Sequence, residues 1–241
     1  MESIMKWIIY FLFTVYLFGS NEGLREVQKS GVTIVDDKNQ TIVIHRQKSK
    51  KCDNVHINPE SLYGGDFADQ DIPKACKKSF VTIAGVLQPM HLYKDVKTVG
   101  ELEVLAHIKK TQKKPKKFVL VDARTRRWYK QMTIPMAINL PFNEIHIIDE
   151  DDMEEDEDKN EKKLDEFKNM IDALGIIQRK SYLDFSRAKT AIIFCNGSWC
   201  SQSPKMILRL INLGYPRKKL LWYRGGMQDW VVNGFTVVKN N

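Results

Sequence analysis

Two cysteines, Cys195 and Cys200, bracket the short segment Asn196-Gly197-Ser198-Trp199. Ahead of them runs TAIIF (190–194), a short apolar stretch with the signature of a buried strand. Behind them come Ser201-Gln202-Ser203 and Pro204, and Pro204 suits the first position of a helix running to Leu213, with Gly214 as its stop. A cysteine at the C-terminal end of a buried strand faces the crevice in which open α/β sheets bind ligands. The N–H groups of a Gly/Ser loop ending at a helix N-terminus converge on an anion, and the helix dipole adds roughly half a positive charge. A thiol of ordinary pKa, about 8.5, can ionise at neutral pH in such a place. The chemistry this permits is that of sulfur carrying negative charge, as a thiolate nucleophile or a terminal persulfide. The alternative is an inert buried cysteine, and a second cysteine across a Gly/Ser loop argues against it.

The elements that must position this loop alternate between strand and helix. Thr98-Val-Gly-Glu101 reads as a capping box opening a helix, with Leu102, Leu105 and Ile108 on one face. Lys113–Lys117 with Pro115 is a loop, and Phe118–Val121, ending in Asp122, is a buried strand. Asn139-Leu140-Pro141 ends another extended piece. Lys163–Leu174 is an amphipathic helix with Leu164, Phe167, Ile171 and Leu174 aligned and Gly175 as its stop. Lys219–Tyr223 is a third strand, and Gly225-Gly226 leads into a short helix that Gly234 closes. This alternation predicts an α/β class with a mainly parallel, doubly wound sheet flanked by helices. Upstream, GVTIVDDKNQTIVIHR predicts a β-hairpin turning at Asp36-Asp37-Lys38-Asn39. Residues 46–79 read as loop-rich, and a second apolar run, FVTIAGVLQP, follows. The division is thus residues 1–20, a β-containing extension 25–97, and a domain 98–241.

Composition narrows the class. The chain has 241 residues, a net charge of +8 and 43% apolar residues, enough to form a core. No apolar stretch reaches 18 residues, so a polytopic membrane protein is excluded. The charge is uneven: residues 149–158 hold nine acids and no base. This acidic insert, taken as 149–161, lacks the Gly and terminal Glu of a calcium loop and reads as a solvated connection. The basic residues are scattered (Lys48, Lys50 and Lys51; Lys113–Lys117; Arg217–Lys219) without interleaved aromatics, so no nucleic-acid partner is expected. Cys52, Cys76, Cys195 and Cys200 form neither a zinc pattern nor a dense disulfide scaffold. His45, His56 and His91 are isolated and read as surface or packing residues. Trp7–Gly19 is an apolar run after Lys6; thirteen residues at helical rise span about 20 Å, short of a bilayer. Residues 1–20 therefore read as a signal peptide, or as an uncleaved membrane tether, and place the protein in the periplasm or outside the cell.

Four pieces in order resemble the rhodanese-like domain family from about Thr98 to Val238. FVLVDAR (118–124) is similar to the strand carrying Asp-x-Arg. TIPMAINLPF (133–142) is similar to the Ile-Pro-Gly-Ala-x-Asn segment, with Met136 at the usual Gly. AIIFCNGSWCS (191–201) resembles the strand and active-site loop, and LGYPRKKLLWYRGGMQDWVVNGFTVV (213–238) resembles the closing Gly-Tyr, Gly-Gly and Trp pattern. The loop and the YRGGMQDW ending look most like exported single-domain members. The resemblance implies a sulfurtransferase or sulfur carrier that forms a persulfide on Cys195 and passes sulfane sulfur to a thiophilic acceptor. It makes Asn196, Gly197, Ser198, Trp199, Cys200 and Ser201 the persulfide cradle, and Asp122 and Arg124 a structural brace. It implies a small sulfane-sulfur donor, a thiol or cyanide acceptor, and neither cofactor nor metal.

In one place the sequence departs from the family. The family often has an Arg five residues after the cysteine, where it can hold thiosulfate; here that residue is Cys200. A second thiol could instead attack the persulfide or close a Cys195–Cys200 disulfide. Two other readings stand beside this one. FCNGSWCSQSPKM also resembles a thioredoxin-type redox segment, with Ser203 at the second Cys position; that fold needs further strands and a Pro-containing turn facing the cysteine. The third reading is a non-catalytic rhodanese-like binding or sensor module.

Overall fold

The runs Phe118–Asp122 (β4) and Thr190–Phe194 (β8) are apolar and buried on both faces beyond their first residues. Only a strand sandwiched between two layers can bury so continuous a run. In the computed structural model, which describes residues 31–45, 85–145 and 157–240, the two pair in parallel, Phe118 opposite Thr190 through Asp122 opposite Phe194. Three further strands, Lys97–Val99 (β3), Ala137–Asn139 (β5) and Leu220–Tyr223 (β9), complete a five-stranded sheet of order β3-β9-β8-β4-β5, parallel throughout.

Helices cover both faces. Glu101–Lys113 (α1) and Gly226–Val232 (α5) pack against Leu120, Ile192, Phe194 and Tyr223. Glu157–Leu174 (α3) and Gln202–Asn212 (α4) cover Val119, Val121, Ile193 and Trp222 on the other side. Met206, Ile207 and Leu210 of α4 are fully buried; each such side chain contributes about 1.5–3 kcal/mol of transfer free energy. A short helix, Arg126–Gln131 (α2), follows β4. The doubly wound α/β class read from the sequence is the one observed.

Several boundaries differ from the sequence reading. Helix α1 begins at Glu101, not with Thr98 as its cap. Thr98 lies in β3 opposite Trp222, and its hydroxyl bonds Met90 O. The Gly100 N–H instead donates to Glu103 Oε2 at 3.0 Å. Sheet pairing has overridden the local capping signal. Helix α3 starts at Glu157, six residues before Lys163, so residues 157–161 of the expected acidic insert are helical. Acidic residues suit a helix N-terminus, and the Lys162–Glu166 and Asp165–Lys168 pairs add i,i+4 and i,i+3 support. Residues 149–156 lie outside the described residues. Helix α4 starts at Gln202 with Pro204 inside its first turn. Gly175 ends α3 at φ +70°, where a Cβ would press on Arg187 O.

The hairpin forms as expected, with Val32–Val35 (β1) antiparallel to Thr41–Ile44 (β2) and Asn39 left-handed in the turn. It is not a detached extension. Val32, Ile34 and Ile44 join the core formed by α1 and α5, and Thr236 bonds the backbone of Val43 and His45. The sheet also begins at Lys97, inside the stretch read as extension. A small hairpin, Ile177–Gln178 (β6) with Leu183–Asp184 (β7), has no counterpart in the sequence reading. Met136 has φ +69°, so the chain adopts the left-handed conformation that a glycine at this position would favour. Among the described residues, no helix is long and apolar enough to cross a membrane; the run 7–19 and Cys52, His56 and Cys76 lie outside them.

Candidate active site

Cys195 directly follows β8, at the C-terminal edge of the sheet, and the chain then folds back through a turn closed by Cys200 N–H to Gly197 O at 2.9 Å. Helix α4 begins immediately after Ser201. Both cysteines are free and buried, 2% and 5% exposed.

The loop's backbone hydrogen bonds aim it. Every carbonyl from Cys195 to Ser201 accepts a hydrogen bond. Met227 N–H of α5 binds Cys195 O at 2.9 Å, and Gln228 N–H binds Asn196 O at 2.8 Å. Gln88 N–H binds Ser198 O at 2.8 Å, and Val86 N–H binds Trp199 O at 3.0 Å. Gly197, Cys200 and Ser201 carbonyls are held by Cys200 N–H, the Cys195 thiol and Lys205 N–H. By contrast, the N–H groups of Gly197, Ser198 and Trp199 donate to no acceptor among the described residues. With its carbonyls tied outward, the loop leaves these amides free for an anion.

Neighbouring elements fix this arrangement. Gly226 sits at φ +56°, and a Cβ there would collide with Cys195 O and lie 2.9 Å from Gly197 N, so only glycine lets α5 approach. Trp199 Nε1–H donates to Gln228 Oε1 at 2.6 Å. Residues 86–89 cross the loop as a strap. The Arg224 guanidinium holds it by donating to Gln88 O at 2.8 Å and Pro89 O at 3.2 Å. Behind the loop, Arg124 and Asp122 form a buried ion pair with bonds of 2.6 to 3.2 Å. Thr133 adds a hydroxyl to Asp122 at 2.7 Å, and Arg124 Nη1 reaches Asn196 Oδ1 at 3.4 Å. Asn139 Nδ2 ties the backbone carbonyls of Asp122 and Arg124.

The sulfurs have unequal surroundings. Cys195 Sγ lies 3.4 Å from Cys200 O and 3.0 Å from Ser203 Oγ. Trp222 Nε1–H, a donor only, gives its hydrogen to Ser203 Oγ at 3.1 Å. The Ser203 oxygen is thus an acceptor for the indole, and its own proton is left to face the Cys195 sulfur. Burial pushes the Cys195 thiol well above its ordinary range, and the neighbouring Cys200 pushes the same way. Cys200 is drawn down to about 7, chiefly by its interaction with the neighbouring Cys195 thiol. The N–H groups of Gln202 and Asn196 and the charge of Arg124 help, against a desolvation penalty. The pair therefore gives up one proton near neutrality, with the charge resting on Cys200, and holds the second tightly.

All the residues singled out from the sequence, Asp122, Arg124 and Cys195 to Ser201, meet at this corner. Ser201 stands at the N-cap position of α4 without a side-chain capping bond, and its side chain bonds neither sulfur. Ser203, Trp222, Gly226, Gln228, Thr133 and the strap escaped the sequence reading as site residues. Ser203 carries a signal, a hydroxyl just ahead of Pro204 at the place of a second redox cysteine, but only the rival thioredoxin-type reading uses it. Of the described histidines, His45 and His91 do not bond the thiols, and His107, whose ring bonds Val119 O at 2.8 Å, is a core residue. The cavities of about 660 and 270 Å³ beside α3, sharing Arg126, Glu144, Glu166 and Asn169, include neither cysteine in their walls. Among the described residues, no cluster of His, Cys, Asp and Glu could hold a metal ion.

A family model described as the rhodanese-like domain matches residues 103–233, more than half of the chain. No curated protein sequence matches significantly. Among solved structures, the BH2092 protein from Bacillus halodurans is 22% identical, with a TM-score of 0.39 over 59% of this chain and 77% of that one. A rhodanese with anions from E. coli is 20% identical, with a TM-score of 0.31 over 51% of this chain and 98% of that one. A human single-domain sulfurtransferase is 20% identical, with a TM-score of 0.34 over 57% and 96%.

Proposed function

The chain belongs to the rhodanese-like domain family, and from that membership we propose that it is a sulfur carrier or sulfurtransferase working through a persulfide on Cys195. The observation that carries this reading is the loop's backbone: carbonyls tied outward from residue 195 to 201, amides of residues 197 to 199 unspent. A terminal persulfide on Cys195 would place its charged outer sulfur among these amides, as the family's chemistry requires. The Ser203 proton, 3.0 Å from Cys195 Sγ, supports the sulfur as it takes on charge when a donor is attacked or an acceptor leaves with the sulfane atom.

The donor class follows from the charges nearby. Arg124 is engaged by Asp122, Met132 O and Asn196, and Arg224 by the strap carbonyls. Cys200 stands where many relatives place an arginine. A low-molecular-weight persulfide suits this site better than dianionic thiosulfate, which needs a fixed cation. Residues 1–20 carry the further proposal that this transfer takes place outside the cytoplasm, in the periplasm or beyond it.

The test is the intact mass of the purified full chain after brief exposure to glutathione persulfide and desalting. One added sulfur, about 32 Da, should appear on Cys195 when Cys200 is replaced by serine and be absent in Cys195→Ser. A folded Cys200→Ser chain that takes up no sulfur would leave the binding-module reading in its place.

A further inference from the structure

We propose that Cys200 is a resolving thiol, which discharges the Cys195 persulfide as sulfide and closes a Cys195–Cys200 disulfide. This rests on the carrier reading and adds a reductive second half to it.

Three observations place the reaction. The turn closed by Cys200 N–H on Gly197 O brings residue 200 back over residue 195, and Cys195 Sγ touches Cys200 O at 3.4 Å. The two thiols shift each other's ionisation, which places Cys200 in the immediate surroundings of any persulfide built on Cys195. The outer sulfur would extend toward the amides of residues 197 to 199, which stabilise negative charge on a departing sulfur. Nucleophile, electrophilic sulfur and leaving-group site therefore lie on one short loop. The nucleophile is the thiol that ionises more readily, at about 7, and a thiol with a pKa near ambient pH is best matched to exchange.

The Cys200 thiolate attacks Cys195 Sγ, and the bond from Sγ to the outer sulfur breaks. Its electron pair leaves with the outer sulfur, which takes one proton from solvent, matching the one Cys200 released on ionising, and departs as hydrosulfide. The sulfane sulfur is reduced, and the two cysteine sulfurs are oxidised to one disulfide. An external dithiol reductant then reopens the loop by thiol–disulfide exchange. The net reaction turns a small persulfide and a dithiol into a thiol, sulfide and a disulfide.

The experiment uses the reduced, desalted full chain, loaded with equimolar glutathione persulfide and desalted again at once. Released sulfide is trapped with monobromobimane, and the protein is mapped by non-reducing mass spectrometry. The wild type should release stoichiometric sulfide and carry a peptide linked through Cys195 and Cys200. Cys200→Ser should keep the added sulfur on Cys195 and release sulfide at least about tenfold more slowly until dithiothreitol is added. Cys200→Ala serves as the second variant should the serine fail to fold. A wild type that holds its adduct as long as the variants, or moves it intact to Cys200, overturns the resolving role and leaves the carrier reading standing. No adduct in the wild type or in either folded variant overturns both.

Discussion

Replacing Arg124 with Leu should destabilise the domain far more than its distance from the reacting sulfur suggests. Asp122 is completely buried, and in the native state it receives Arg124 Nε at 2.9 and 3.2 Å and Nη2 at 2.6 Å. After the substitution only the Thr133 hydroxyl and the backbone N–H of residue 124, at 2.7 and 3.0 Å, would face the carboxylate. An uncompensated buried charge of this kind costs about 3–5 kcal/mol. At roughly 2–4 °C per kcal/mol for a chain of this size, the melting temperature should fall by about 6–20 °C. Asp122→Asn should cost a comparable amount, since it strands the guanidinium instead. The double variant Asp122→Asn/Arg124→Leu should be more stable than the sum of the singles implies, by more than about 1 kcal/mol. Urea unfolding followed by tryptophan fluorescence supplies all four corners of the cycle, provided the m-values agree. Single-variant costs that add to within about 0.5 kcal/mol would refute the reasoning, because the two groups would then not depend on each other.

Gly226→Ala must carry its Cβ into the Cys195 carbonyl from a left-handed backbone that alone disfavours alanine by about 1–2 kcal/mol. Persulfide loading of Cys195 should drop sharply while the fold persists; wild-type loading would show that α5 does not set the loop. Alkylation of Cys200, mapped by mass spectrometry, should rise with pH through about 7 and then level off. Its folded-state pKa lies below the ordinary 9.0, so its stabilisation is complete above that value and is lost as pH falls through about 7. Cys200→Ser should therefore flatten the stability profile between those limits; an unchanged profile would contradict the assignment. Arg224→Ala removes charge-assisted bonds to Gln88 and Pro89 carbonyls worth about 1.5–3 kcal/mol. Hydrogen exchange at Val86 and Gln88 should accelerate at least about tenfold with little change in melting temperature; protected strap amides would refute its role as the anchor.

The parts of the fold legible in the sequence are those with a single local cause. Phe118–Asp122 and Thr190–Phe194 read as buried strands because nothing but a two-sided core tolerates such runs, and they pair as neighbours. Cys195 read as reactive because strand, loop and helix start were contiguous. The brace of Asp122 and Arg124 was read from family likeness, and the ion pair gives it a physical content. What escaped depends on pairing at a distance. Thr98 was read as a cap because its competitor, the register with Trp222, lies more than a hundred residues away. The first turns of α3 were hidden because a run of acids looks the same whether solvated or helical. Ser203, on a helix, gains its role only when Trp222, on strand β9, claims its oxygen. Val86 to Pro89 looked like the end of an apolar run, yet the segment is held by backbone bonds to the loop.

The edge strand β3 bears on where the chain can be cut. The family likeness begins at residue 103, after β3 has ended. A fragment trimmed to that likeness would strip Lys97–Val99 from the sheet and turn β9 into a border strand. The sequence newly bared is Leu220-Leu221-Trp222-Tyr223, uncharged and rich in the residues that favour strand addition. Its open N–H and C=O groups would accept the same strand of another copy. Such a fragment should precipitate or stack edge to edge although every residue of the reacting loop is present. Recognisable ancestry and self-sufficient solubility thus end at different residues in this protein, and the few residues between them act as its guard against self-association.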